Sequence, residues 1–172
     1  MKHQLFQIFI GFIALLCPFT PVMADVEEEY VLVTDAESLR EGDQVVIVSR
    51  EYGKAMSKYN NKTNPNEATY VKPCGIEVTD DGNKVNLTND SVCVMTLVGD
   101  SKGWKWQTDN GNWLWANKYD VPKLLYRPTR GTYDNITNVS TIDIIESGEC
   151  NIGFKWSSST KYPKYNGSDK FI

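Results

Sequence analysis

GWKWQTDNGNWLWAN, residues 103–117, holds four of the chain's five tryptophans around an Asp-Asn-Gly-Asn turn. How that turn is built decides which rings share a face. Side chains alternate along a strand, so a one-residue change of register moves a whole set across the sheet. A two-residue Asn110-Gly111 turn would pair Trp106 with Trp115 and put all four rings on one face. A three-residue loop with Gly111 in the left-handed region instead groups Trp104 and Trp106 with Leu114 and Ala116 and turns Trp113 and Trp115 the other way. The second register is expected because it buries Leu114. It predicts a buried Trp104, Trp106 and Leu114, and an exposed Trp113 and Trp115.

The pattern recurs at GFKWSSSTKYPKYN, residues 153–166, and more weakly at VVIVSREYGKAMSKYN, residues 45–60. An apolar strand precedes each of the two strong copies, VCVMTLVGD (92–100) and STIDIIESG (140–148). By alignment, Phe154 and Trp156 take the inward role of Trp104 and Trp106. The spacing of about fifty residues predicts a β-trefoil-like or small closed barrel with pseudo-threefold repeats. A β-sandwich carrying a hairpin repeat is the alternative. Period-two runs separated by Gly, Asn, Asp, Ser and Pro continue through most of the chain, as an all-β domain requires. Only AESLREGD (36–43) reads as helical, one or two turns capped by Thr34 or Asp35 and stopped at Gly42. Polar stretches such as SKYNNKTNPNEAT (57–69) read as surface loops. In the last repeat KYPKYN is followed only by GSDKFI, so the barrel is expected to lack its final strand. That would leave an open edge on residues 30–34, a tendency to self-associate there, and loosely held residues from Ser168 onward.

MKHQLFQIFIGFIALLCPFTPVMA, residues 1–24, reads as a secretory signal peptide. It has a charged start, an apolar run over residues 5–16, and small Val22 and Ala24 ahead of Asp25. Leu16 stands where a lipoprotein signal before Cys17 would need a small residue. The expected mature protein is residues 25–172, one all-β domain that is secreted, periplasmic or held at the cell surface, with no membrane span. The full chain has 18 basic and 22 acidic residues, and the leader takes Lys2 and no acid, leaving a formal charge of −5. A scattered basic complement on an acidic chain argues against nucleic acid as a partner.

The single histidine, His3, lies in the leader. The mature chain therefore has no Ser/His/Asp triad, Cys/His dyad or histidine zinc site. A carboxylate-only glycosidase is the chemistry that composition leaves open. The adjacent acids Asp80 and Asp81, however, sit in VTDDGNKV, where Asp-Gly between β-formers reads as a hairpin turn. No EF-hand, P-loop or dinucleotide motif occurs, and no cofactor or metal is expected. Of the mature cysteines Cys74, Cys93 and Cys150, at most two could pair within one chain. By parity Cys93 and Cys150 are expected to point inward as small apolar residues rather than as a disulfide.

YVLVTDAESLREGDQVVIVS, the IEVTDDGNKVNLT hairpin and the late TKYPKYN together resemble a family of short all-β domains in secreted proteins of Bacteroidales gut bacteria. In that family a Val-Thr-x-x-x-x-Leu-x-x-Gly-Asp segment precedes the strands and a Tyr-Leu-x-Tyr-Asn-like segment comes late. The resemblance spans nearly all of the mature chain and implies fold and origin without a defined activity. Pro163 stands in place of the family's Leu, and the chain ends at Phe171-Ile172 where such domains continue. Asp90-Ser91-Val92 resembles the short O-glycosylation motif of the same group.

The expected function is a non-catalytic binding module, with a glycan as the ligand. Outward rings of Trp113, Trp115 and Tyr119 would stack on sugar faces, and Asn112, Asn117 and Asp120 would hydrogen-bond hydroxyls. The alternative is a surface interaction or structural domain using the same exposed aromatics.

Overall fold

In the computed structural model of the chain the turn has three residues. Gly111 sits at φ +78°, its N–H donates to Thr108 O at 2.9 Å, and Thr108 N–H donates to Asn112 O at 2.8 Å. The Asn110 carboxamide locks the loop, its Oδ1 accepting from the Thr108 hydroxyl at 2.6 Å and from Asn112 N–H at 3.2 Å. The structure describes residues 28–63, 70–79, 83–87, 90–117, 124–128, 132–133, 136–144, 149–156, 159–162 and 167. The expected leader, the Asp80-Asp81 turn, Tyr119, Asp120, and the chain from Ser168 lie outside these residues.

Every pairing between described strands is antiparallel. In chain order they are β1 (Glu28–Val31), β2 (Gln44–Val45), β3 (Val48–Ser49), β4 (Lys54–Asn60), β5 (Val71–Gly75), β6 (Glu77–Thr79), β7 (Lys84–Leu87), β8 (Met95–Asp100), β9 (Gly103–Thr108), β10 (Trp113–Asn117), β11 (Leu124–Arg127), β12 (Thr132–Tyr133), β13 (Ile136–Thr137), β14 (Ser140–Ile144), β15 (Cys150–Trp156) and β16 (Ser159–Lys161). They form two three-stranded sheets, β1-β7-β6 and β3-β4-β5, and one large sheet through β9, β10, β14 and β15.

The helical expectation for residues 36–43 shortens to one 3-10 turn, Ala36–Ser38, capped by the Asp35 carboxylate, which accepts from Glu37 N–H at 2.8 Å. Beyond that turn the chain turns again at Glu41-Gly42 and is tied to β8: Gly42 N–H donates to Leu97 O and Leu97 N–H to Asp43 O, both at 2.9 Å. A few residues of helix propensity are too weak to resist such tertiary pairing.

Both strong repeat copies are hairpins, β9–β10 and β15–β16, each preceded by an antiparallel strand, β8 and β14. The weak copy is the β3–β4 hairpin, with Gly53 at φ +56°. β8 lines one edge of β9 throughout. β10 and β14 must therefore share its other edge, β10 at Gln107 and β14 at Trp104. The main core gathers Trp104, Trp106, Leu114, Ala116, Phe154 and Trp156 with Met56, Met95, Leu97 and Leu124, in agreement with the three-residue register. Within it the Trp106 indole N–H donates to the Ser140 hydroxyl at 2.7 Å.

Three expectations need correction. No sheet closes into a barrel among the described residues, and layered, sandwich-like sheets fit the arrangement. Closure needs continuous hydrogen bonding from last strand to first, and among the described residues β1 pairs only into its own small sheet. Trp113 and Trp115 do face away from the main core, yet they are only 7 % and 0 % exposed. The reason is the position of β10, which has β11 on one edge and β9 with β13 on the other, so that all five of its residues are buried. A strand internal to a covered sheet does not alternate between core and solvent. Finally, Cys93 is buried as expected, but Cys150, the first residue of β15, is exposed.

Candidate functional site

An open cleft of about 310 Å³ lies where the end of β4 meets β5, β11 and the β9–β10 loop. Its construction begins with Pro73 in the edge strand β5, a residue with no N–H for the ladder and tolerated there for that reason. Met56 pairs with Pro73 and Asn60 with Val71, so Ser57, Lys58 and Tyr59 stand opposite Lys72 alone. The resulting bulge breaks strand alternation and lets the consecutive Lys58, Tyr59 and Asn60 all line the cleft. Lys62, Thr63 and Lys72 add the rest of one wall.

Asn60 closes the floor. Its Nδ2 donates to Tyr126 O at 3.0 Å and its Oδ1 accepts from Tyr126 N–H at 2.9 Å, joining β4 to β11 across the sheets. Asn61 ties its own loop in a similar way, with Oδ1 accepting from Tyr70 N–H at 3.2 Å. Both carboxamides are committed to the fold. The Tyr126 ring belongs to the main core, and its hydroxyl is buried against the Cys93 sulfur with no oxygen or nitrogen partner among the described residues. Burial pushes the Tyr126 hydroxyl well above its ordinary pKa and the Cys93 thiol up to about 11, so both stay neutral at physiological pH.

The remaining groups are free to meet a ligand. Tyr59 is 58 % exposed. The Asn112 side chain makes no hydrogen bond among the described residues, and neither Lys62 nor Lys72 has a carboxylate within ion-pair distance there. Lys58 is held by Asp109 at 3.2 Å, a partly solvated pair worth under about 1 kcal/mol. Such a surface can bind through an aromatic face, an amide and three ammonium groups. Among the described residues no three His, Cys, Asp or Glu side chains are placed to share a metal ion, and no helix is long and apolar enough to cross a membrane.

Of the anticipated residues that the structure describes, only Asn112 lines this cleft. Trp113 and Trp115 are buried on the far face of β10, and Asn117 is buried at its end. Lys58, Tyr59, Lys62, Lys72 and Tyr126 were not anticipated. Their one legible signal is Tyr59 in the lysine- and asparagine-rich stretch SKYNNKT, which reads as a loop but whose Ser57–Asn60 half belongs to β4. Comparison of the chain with known protein families, with curated proteins and with solved structures gives no match.

Proposed function

We propose that this chain is a non-catalytic binding module of an exported protein and that the cleft between β4, β5 and β11 receives a saccharide. The observation that carries this reading is Tyr59, an exposed ring at the rim of a concave polar surface whose Asn112 amide, Lys62 and Lys72 make no ion pair or side-chain hydrogen bond among the described residues. A flat aromatic face beside a few convergent donors is the usual means of holding a sugar ring and its hydroxyls. The pseudo-threefold, trefoil-like organisation and the kinship with Bacteroidales secreted domains belong to the same proposal. The three hairpins at the repeat positions support the former.

A glycan array followed by calorimetry on the hits tests the ligand class. Tyr59→Ala should weaken any hit at least tenfold with little loss of stability, because an exposed ring contributes more to a ligand than to the core. Unchanged affinity would remove the cleft from consideration.

Protein interaction is the alternative, favoured by one separate observation. Among the described residues β1 stands at the end of its sheet, paired with β7, and Val31 on that strand is 63 % exposed. A strand at a sheet edge with an exposed apolar side chain is a ready template for another strand.

A further inference from the structure

We infer that the ligand of this cleft is an acidic saccharide, one bearing carboxylate or sulfate groups, and that Lys62 and Lys72 hold its charge. This rests on the saccharide-binding reading above and adds the sign of the ligand. The chain has an excess of acid, 22 acidic residues against 18 basic, yet three of its lysines converge on one cleft of about 310 Å³. At the rim one carboxylate, Asp109, pairs with one of them, Lys58, at 3.2 Å. That leaves Lys62 and Lys72 unneutralised by the described residues. Like charges gathered on a concave surface raise the local positive potential and concentrate anions there.

The neighbouring groups favour a sugar over an acidic peptide. An acidic peptide could use the same ammonium groups, but it would also call on backbone hydrogen bonds. Here the backbone groups at the floor are already taken: Asn60 holds both the N–H and the carbonyl of Tyr126, and Asn61 pairs with Tyr70. What remains is side-chain chemistry, an aromatic face, an amide and ammonium groups, which matches a pyranose ring carrying hydroxyls and an acid. The partner of Lys58 also makes Asp109 a competitor for it, so an incoming anion should exchange with the Asp109 carboxylate.

The test measures affinity by calorimetry for three probes: oligogalacturonate, its carboxyl-reduced neutral counterpart, and a chondroitin sulfate oligosaccharide. Binding of either acidic probe, at least tenfold tighter than the neutral one and weakening as salt is raised, is the expected result. The carboxylate and sulfate probes separate the two sources of charge. The double variant Lys62→Gln/Lys72→Gln should lose roughly tenfold in affinity for the acidic probe. Asp109→Asn should bind the acidic probe more tightly by freeing Lys58 and leave the neutral probe unchanged. Both variants alter solvated side chains, and their thermal transitions check that the fold persists. Equal, salt-independent binding of neutral and acidic probes would overturn the charge assignment while keeping the saccharide reading. Poly-glutamate displacing the acidic saccharide at equal strength would overturn the sugar class. No binding of any probe would overturn both.

Discussion

The Asn60 carboxamide stands in for a peptide group beside Tyr126, donating to its carbonyl at 3.0 Å and accepting from its N–H at 2.9 Å. One side chain thereby splices β4 onto β11, two strands from different sheets. Asn60→Ala should strand both backbone groups of a buried residue and cost about 1–3 kcal/mol, read by urea denaturation. Ligand affinity should fall with it, since the floor of the cleft is held by the same pair. A change below about 0.5 kcal/mol would show that water replaces the amide freely.

Trp115 is fully buried away from the main core, and Trp113 nearly so. Trp115→Ala should therefore destabilise the protein by about 3–5 kcal/mol, as expected for emptying an enclosed site of that size. Chemical denaturation of the single variant reads the effect. A nearly unchanged midpoint, the behaviour of an exposed platform, would contradict the burial.

Two glycines provide an internal control. At Gly111, φ +78°, an added Cβ meets nothing within 4 Å, whereas at Gly99, φ +117°, it would lie 2.4 Å from the Gly103 carbonyl oxygen. Gly111→Ala should cost about 1–2 kcal/mol from backbone strain alone. Gly99→Ala carries strain plus a backbone collision across the β8–β9 hairpin and should be clearly worse in the same denaturation assay. Equal losses would mean that the hairpin yields easily.

Alkaline pH should weaken the fold through Cys93. Burial raises its thiol from 9.0 to about 11, so the folded state keeps the proton that the unfolded chain releases. The stabilisation is complete below pH 9 and is lost as pH rises through 11, on the order of 2 kcal/mol by then. Tyr126 shifts in the same direction and for the same reason. Comparison with Cys93→Ala isolates the thiol: the wild type should lose stability relative to the variant between pH 9 and 11. Parallel pH curves would show that Cys93 ionises freely in the folded protein.

The exposed Val31 side chain on β1 should favour association. Light scattering at rising concentration is expected to show species above the monomer mass, and Val31→Lys should remove them, because a charge on an edge strand blocks edge-to-edge pairing. Identical masses for both proteins at high concentration would exclude this edge as a contact.

Much of the architecture is local and was legible in the chain. The period of two, the turn residues, and the loop length set by Gly111 and Asn110 are decided within a few residues, because backbone sterics and short hydrogen bonds carry them. That is why Trp104, Trp106, Leu114, Phe154 and Trp156 fall on one buried face as the register requires. The repeat pointed to hairpins for a related reason, since a hairpin is the smallest unit whose pairing its own sequence specifies.

Burial and the site were settled at long range. Whether the far face of β10 meets water depends on β11 and β13 pairing beside it, and no alternation pattern records how many neighbours a strand will acquire. The cleft draws Lys58 and Lys62 from β4 and its loop, Lys72 from β5, Asn112 from a turn and Tyr126 from β11, positions joined only once a bulge opposite Pro73 and the Asn60 amide fix the strands. The sequence determined strands and turns, because each depends on a residue and its near neighbours. The tertiary structure decided which faces are covered and which side chains converge, because those depend on chain segments whose closure is chosen by the free energy of the whole packed domain.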